Sequence, residues 1–121
     1  MAITDVRNAL LMIIDHVYHY TAPERDENGK PIIDRYVVWG ETGASRGVNA
    51  DDQIHEIVVT GELYYYTTEE YDVVFDDICQ SLTENEISWS IDGIGYDDTT
   101  DQIVYSLTWE VPCGACNFYR R

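Results

Sequence analysis

The sequence predicts a single α+β domain over residues 1–112: a four-stranded, mostly antiparallel sheet with two helices packed on one face, in the order α-β-β-α-β-β. Three observations predict it. Stretches near residues 6–17 and 71–82 repeat apolar residues at helical spacing. Residues 87–91 and 103–111 alternate strictly between apolar and polar side chains, as half-buried strands do. The length, 121 residues, suits one core. Residues 113–121 form a C-terminal tail to that domain.

The first helix has Thr4 as its expected N-cap, with Asp5 in the first turn where a negative charge suits the dipole. Val6, Leu10, Ile13, Ile14 and Val17 make its apolar stripe, and Pro23 forbids continuation. Residues 21–35 are rich in turn formers and read as a loop, with Asn28-Gly29 as a tight turn. Tyr36-Val37-Val38-Trp39 is a short strand, ended by Gly40. Residues 40–53, with Gly40, Gly43 and Gly47, read as a second flexible loop.

From Ile54 to Tyr66 the composition is strongly β. The odd positions Ile57, Val59, Leu63 and Tyr65 form the more apolar face, and Gly61 marks a bulge or a close backbone approach. Thr67-Thr68-Glu69-Glu70 carries a capping box, with Thr67 as N-cap and Glu70 at N3. The helix behind it is expected to bury Tyr71, Val74, Phe75, Ile78 and Leu82, to expose Asp72, Asp76 and Asp77, and to end at Asn85. The last two strands form a hairpin that turns within Asp97–Asp101, and Pro112 stops it. Trp89 and Trp109 both fall on its apolar face.

Charge excludes several functions. Seven basic residues face 23 acidic ones, for a net charge of −16. Between Arg46 and Arg120 there is no Lys or Arg, and that stretch holds 16 acids. Nucleic-acid backbones and anionic membranes are gripped by Lys and Arg, so neither is an expected partner. With 45% hydrophobic residues the chain is too apolar for disorder. No apolar run approaches the roughly 18 residues of a membrane span, and Met1–Asp5 lacks the features of a signal peptide. Cys79, Cys113 and Cys116 are too few for a disulfide framework, so a reducing, intracellular compartment is expected.

The candidate chemistry is sparse. Cys113-Gly114-Ala115-Cys116 is a C-x-x-C pair, able in principle to hold zinc or act as a dithiol. Zinc needs four ligands, and no second such pair follows; only His16 and His19, i and i+3 on the first helix, offer to converge with it. A structural role is the better reading. The acidic pairs Asp51-Asp52, Asp76-Asp77 and Asp97-Asp98 lack calcium-loop spacing and read as a solvated face. His55, at a strand start, reads as a surface or core-edge residue rather than a base. Tyr64-Tyr65-Tyr66, without basic neighbours, reads as strand packing with a possible protein interface. No catalytic, cofactor-binding or metal-ligating residue is assigned, and no enzyme activity or cofactor is expected.

Beyond composition, the chain resembles the tail terminator (tail completion, or head–tail joining) proteins of long-tailed bacteriophages and of prophages of Gram-positive hosts. The resembling residues are the helix Val6-Arg7-Asn8-Ala9-Leu10-Leu11, the strand Tyr36-Val37-Val38-Trp39-Gly40-Glu41, and Glu62-Leu63-Tyr64-Tyr65-Tyr66 leading to Glu70 through Ile78. The hairpin from Trp89 to Trp109, with Tyr96-Asp97-Asp98 near its turn, completes them. The similarity spans roughly residues 5–112 and leaves out Cys113–Arg121.

The resemblance implies a structural virion protein, made in the bacterial cytoplasm and placed in the tail. It implies a ring of identical subunits, typically a hexamer, that caps the tail tube and docks to the head connector. DNA passes its bore only as cargo, without specific binding. The alternative reading is a monomeric acidic module, a DNA mimic or an inhibitor of a basic partner, steered by charge.

Overall fold

A computed structural model describes residues 1–25, 28–29, 34–46, 57–113 and 118–119. The elements are α1 (Thr4–Leu11), β1 (Val17–His19), β2 (Tyr36–Arg46), β3 (Ile57–Thr67), α2 (Val73–Glu84), β4 (Ser88–Asp97) and β5 (Gln102–Pro112). The α+β class with two helices holds. The expected four-stranded antiparallel sheet does not: among the described residues five strands form one mixed sheet, ordered β1-β2-β3-β5-β4.

The extra strand is β1. Residues 16–20 were expected as the fading end of a helix, but α1 stops at Leu11. Val17 and Tyr18 are β-branched and aromatic, and the bare edge of β2 offers them hydrogen bonds. Val17–His19 pairs in parallel with Val37–Trp39. The Val37 N–H donates to the His16 carbonyl at 2.9 Å, and the Tyr20 N–H to the Trp39 carbonyl at 2.7 Å. Val17 thus leaves the helical stripe, and Ile13 is exposed, while Val6, Leu10 and Ile14 are buried. Nor is Thr4 the N-cap. Ile3 holds that position without a side-chain bond, and the Asp5 carboxylate reaches back to accept from the Ala2 N–H at 2.9 Å.

β2 runs on to Arg46, so Gly40–Arg46 is strand rather than loop. Of the two glycines there, Gly40 serves packing, while Gly43 has open space beside it. A Cβ on Gly40 would run into the Tyr20 ring. The register slips once, between Glu41 and Gly43, which makes Thr42 a bulge opposite Gly61 and Thr60. Gly61 itself is the close approach: Trp109 lies against it, and a Cβ would overlap that indole and the Gly40 carbonyl. The rest of the expected 40–53 loop, beyond Arg46, lies outside the described residues. Of the 21–35 loop, Gly29 has φ +78°, as a turn at Asn28-Gly29 requires.

In β3 the residues from Val59 to Thr67 alternate as expected, with the odd positions buried. They share one core with Val37 and Trp39 of β2, Leu107, Trp109 and Val111 of β5, Val6, Ala9 and Leu10 of α1, and Ile78 and Leu82 of α2. Both helices therefore cover one face. Ser81 of α2 ties them together by donating to the Ala9 carbonyl at 2.7 Å. Cys113, just past β5, is buried and donates its N–H to the Ile57 carbonyl.

The start of α2 is corrected. Thr67 ends β3, and Asp72 is the N-cap, accepting from the Val74 N–H at 3.0 Å. Tyr71, with φ +56°, turns the chain and is 87% exposed, whereas Asp72 is buried; the reverse was expected. Asp76 and Asp77 are exposed and Asn85 closes the helix, as the sequence indicates. The hairpin pairs Trp89 with Trp109 and Asp97 with Gln102.

Trp109 has no exposed surface, and its indole N–H donates to the Glu62 carbonyl at 3.0 Å. Trp109→Ala should therefore lower stability by about 3–5 kcal/mol in chemical denaturation. Trp89 is only partly buried and bonds Thr83 at the helix end, so Trp89→Ala should cost clearly less. Equal losses would place both indoles in the core.

Candidate functional site

Two polar constellations stand out. The first is buried and centred on Asp72. Its carboxylate accepts from the Tyr65 hydroxyl at 2.5 Å, the Thr67 hydroxyl at 2.7 Å and the Arg35 Nε at 2.9 Å, besides capping α2. Arg35 also pairs with Glu69. Burial raises the Asp72 carboxyl, but the donations from Tyr65, Thr67, Arg35 and the Val74 N–H together hold it below the usual carboxylate value. Burial, then the Asp72 bond, pushes the Tyr65 hydroxyl well above a normal phenol. Both Asp72 carboxylate oxygens are engaged, and the cluster joins β3, Arg35 and the start of α2.

The second constellation is the sheet face that no helix covers among the described residues. Tyr64 and Tyr66 lie there, while Tyr65 between them is core. Tyr66 stacks on Tyr36 with ring centroids 4.5 Å apart. Burial raises both hydroxyls, and the nearby Asp97 adds to the effect. Two more carboxylates are tied to the surface by neighbouring hydroxyls. Tyr64 donates to Glu62 at 2.7 Å, and Thr108 to Asp92 at 2.6 Å. The bond to Glu62, ahead of desolvation, pushes the Tyr64 hydroxyl up to about 12. Residues 57–112 contain no Lys or Arg. The face is thus a hydroxyl-rich, negatively charged plane with an aromatic stack.

The residues singled out by motif are scattered by the fold. His16 and His19 are not on a helix; they flank and end β1. The His16 Nδ1 meets the Tyr18 hydroxyl at 3.1 Å. His19 sits between the Tyr20 and Trp39 rings, with its Nε2 2.5 Å from Glu41. Cys113 is buried, Cys116 lies outside the described residues, and no group of His, Cys, Asp or Glu among the described residues is arranged to hold a metal. Burial, with Asp76 nearby, raises the Cys79 thiol to about 11, which keeps it protonated at neutral pH. Asp51, Asp52 and His55 lie outside the described residues. Asp97 accepts from the Thr99 N–H within the hairpin turn, and Asp101 accepts from Tyr96.

A shallow hollow beside the open face, lined by Tyr20, Val38, Thr42, Glu62 and Tyr64 among others, measures about 120 Å³. Wider hollows lie elsewhere, about 240 Å³ beside Ser90 and Thr108 and about 320 Å³ beside His16 and Arg35. Sequence reasoning missed Asp72, whose signal was only a carboxylate just ahead of a helical stripe. No protein-family model matches the chain, and no curated protein matches it.

Asp72 is ionised in the fold and its folded pKa is depressed, so its contribution is full above the unfolded carboxylate pKa. It is lost as pH falls through the lower, folded value. The acid unfolding midpoint should therefore move to higher pH in Asp72→Asn. At pH 7, Asp72→Ala should cost about 3 kcal/mol from the lost cap and the stranded donors. Unchanged acid unfolding in Asp72→Asn would show that other carboxylates govern it.

Proposed function

We propose that this chain is a structural assembly subunit of the phage tail terminator type. In this reading identical copies close into a ring, six in the typical case, that caps the tail tube and joins it to the head connector. The protein is made in the bacterial cytoplasm and resides in the virion tail, with DNA only passing through. The observation that carries the reading is the sheet face opposite the helices, which holds Glu62, Asp92 and Asp97 and draws no basic residue from residues 57–112. A bore lined by such a face lets DNA slide, because it releases no counterions and so gains nothing from contact. The resemblance over roughly residues 5–112 supports the same reading, and so does the absorption of the polar groups into structural bonds.

Crowded like charges set the salt response. Each close pair repels by about 1 kcal/mol at 4 Å in bulk water, and physiological salt screens this over about 8–10 Å. Assembly should therefore strengthen as salt rises, read by sedimentation at fixed protein concentration. The deciding experiment mixes the protein with purified tail tubes and images them by negative stain: binding at tube ends is expected. Strictly monomeric protein that ignores tube ends but captures a basic protein would favour the acidic-inhibitor reading instead.

A further inference from the structure

The outer edge of β4 is an open ladder. In an antiparallel sheet, successive residues alternate between bonding one neighbour and the other. The Val37 N–H and the Trp39 carbonyl bond toward β1, so Tyr36, Val38 and Gly40 bond β3. Carried across the pairs Tyr65–Tyr105 and Ile94–Tyr105, the same alternation aims the N–H and C=O of Ile91, Ile94 and Tyr96 away from the sheet. No strand among the described residues pairs with that side, and every residue from Ser90 to Asp97 is exposed. Neither Lys nor Pro, which commonly guard an edge strand, occurs in its ten residues.

The two faces of that edge differ in chemistry. Ile91, Ile94 and Tyr96 lie on the helix side, paired with Leu107, Tyr105 and Ile103, and leave an exposed apolar row. The other face carries Gly93 and Gly95, with Asp92 and Asp97 on either side of the glycines. Thr108 holds Asp92 on that face, and one Asp97 oxygen accepts from the Thr99 N–H. A Cβ added at Gly93 or Gly95 meets nothing within 4 Å. A long side chain reaching in from the edge therefore has a free path across β4 toward both carboxylates.

We infer that β4 takes up an extended segment of a partner protein as a further strand, one in which apolar residues alternate with Lys or Arg. In antiparallel pairing, the partner residues opposite Ile94 and Tyr96 share their face, where an apolar side chain completes the row. Those opposite Gly95 and Asp97 fall on the acidic face, where opposite charge favours a base. Main-chain bonds give such a strand its hold, and the alternation gives it selectivity. A second copy of this chain does not meet the requirement. β4 against β4 opposes acids to acids, and no two of the chain's seven bases stand two residues apart. Such a contact does not depend on the terminator reading, which concerns what the assembly caps.

The test uses the full chain and a short peptide that alternates lysine and valine, beside a second peptide with the same residues grouped into a lysine block and a valine block. Titration calorimetry at low salt is expected to show the alternating peptide bound about tenfold or more tightly than the grouped one. On binding, the amides of Ile91, Ile94 and Tyr96 should slow together in hydrogen exchange. Ile94→Pro, which removes one outward N–H, should weaken binding about tenfold. Asp92→Asn combined with Asp97→Asn should weaken it by about as much and flatten its salt dependence. If Ile94→Pro fails to fold by circular dichroism, the exchange pattern of the wild type decides in its place. Equal binding of the two peptides, full affinity in Ile94→Pro, binding that leaves the β4 amides unchanged, or no binding at all overturns the inference. So does slowing of those amides with protein concentration alone, which makes a second copy the occupant. Peptide binding at β4 by a protein that ignores tube ends keeps this contact and removes only the terminator reading.

Discussion

The Asp72 carboxylate is the joint on which the two layers depend. It receives donors from each structure that must meet there: Tyr65 and Thr67 from β3, Arg35 ahead of β2, and the first turn of α2. A buried charge is tolerated only when its partners are complete, and here they are. With α2 fixed at its start by Asp72 and tied to α1 through Ser81, both helices must lie on the same side of the sheet. Among the described residues no helix covers the opposite side.

That asymmetry gives the charge imbalance a shape. Arg35, one of the seven bases, is spent inside the Asp72 joint and in pairing with Glu69. The acids on the bare face meet hydroxyls instead: Glu62 has Tyr64, and Asp92 has Thr108. A hydroxyl donor holds a carboxylate in place without neutralising it. The face therefore keeps its full negative potential while its side chains lie ordered against the strands, a combination suited to repelling a polyanion rather than chelating a cation.

What the sequence made legible was whatever its neighbours within a few residues decide. The parity of β3, the hairpin with Trp109 inside, the exposed Asp76 and Asp77 and the stop at Asn85 all follow from local pattern. What it hid depends on distant partners. Val17–His19 is too short to show a period, and is a strand only because β2 lies beside it. Thr67 with Glu70 satisfies a capping box, yet Thr67 donates to Asp72, and Asp72, held by Tyr65 and Arg35 as well, is the cap. Gly40 resembles the start of a loop until Tyr20 is seen to need its space. Likewise the acidic excess could be counted from the sequence, but not the side of the sheet on which it falls.

The bulges decide that side. Alternation from Trp89 and Ile91 onward would place Gly93 and Gly95 toward the helices and Ile94 and Tyr96 on the open face. The extra residue between Ile91 and Gly93 reverses the parity. Asp92 is turned to the open face, where Thr108 holds it, and Ile94 and Tyr96 stay in line with Ile91 on the helix side. That row extends past the cover of α2 and remains exposed. The bulge at Thr42 does the same for β2, bringing Ala44 back to the parity of Val37 and Trp39 through its pairing with Val59. One inserted residue in each strand thus separates an acidic plane from an apolar rim, without any change in how the core is packed.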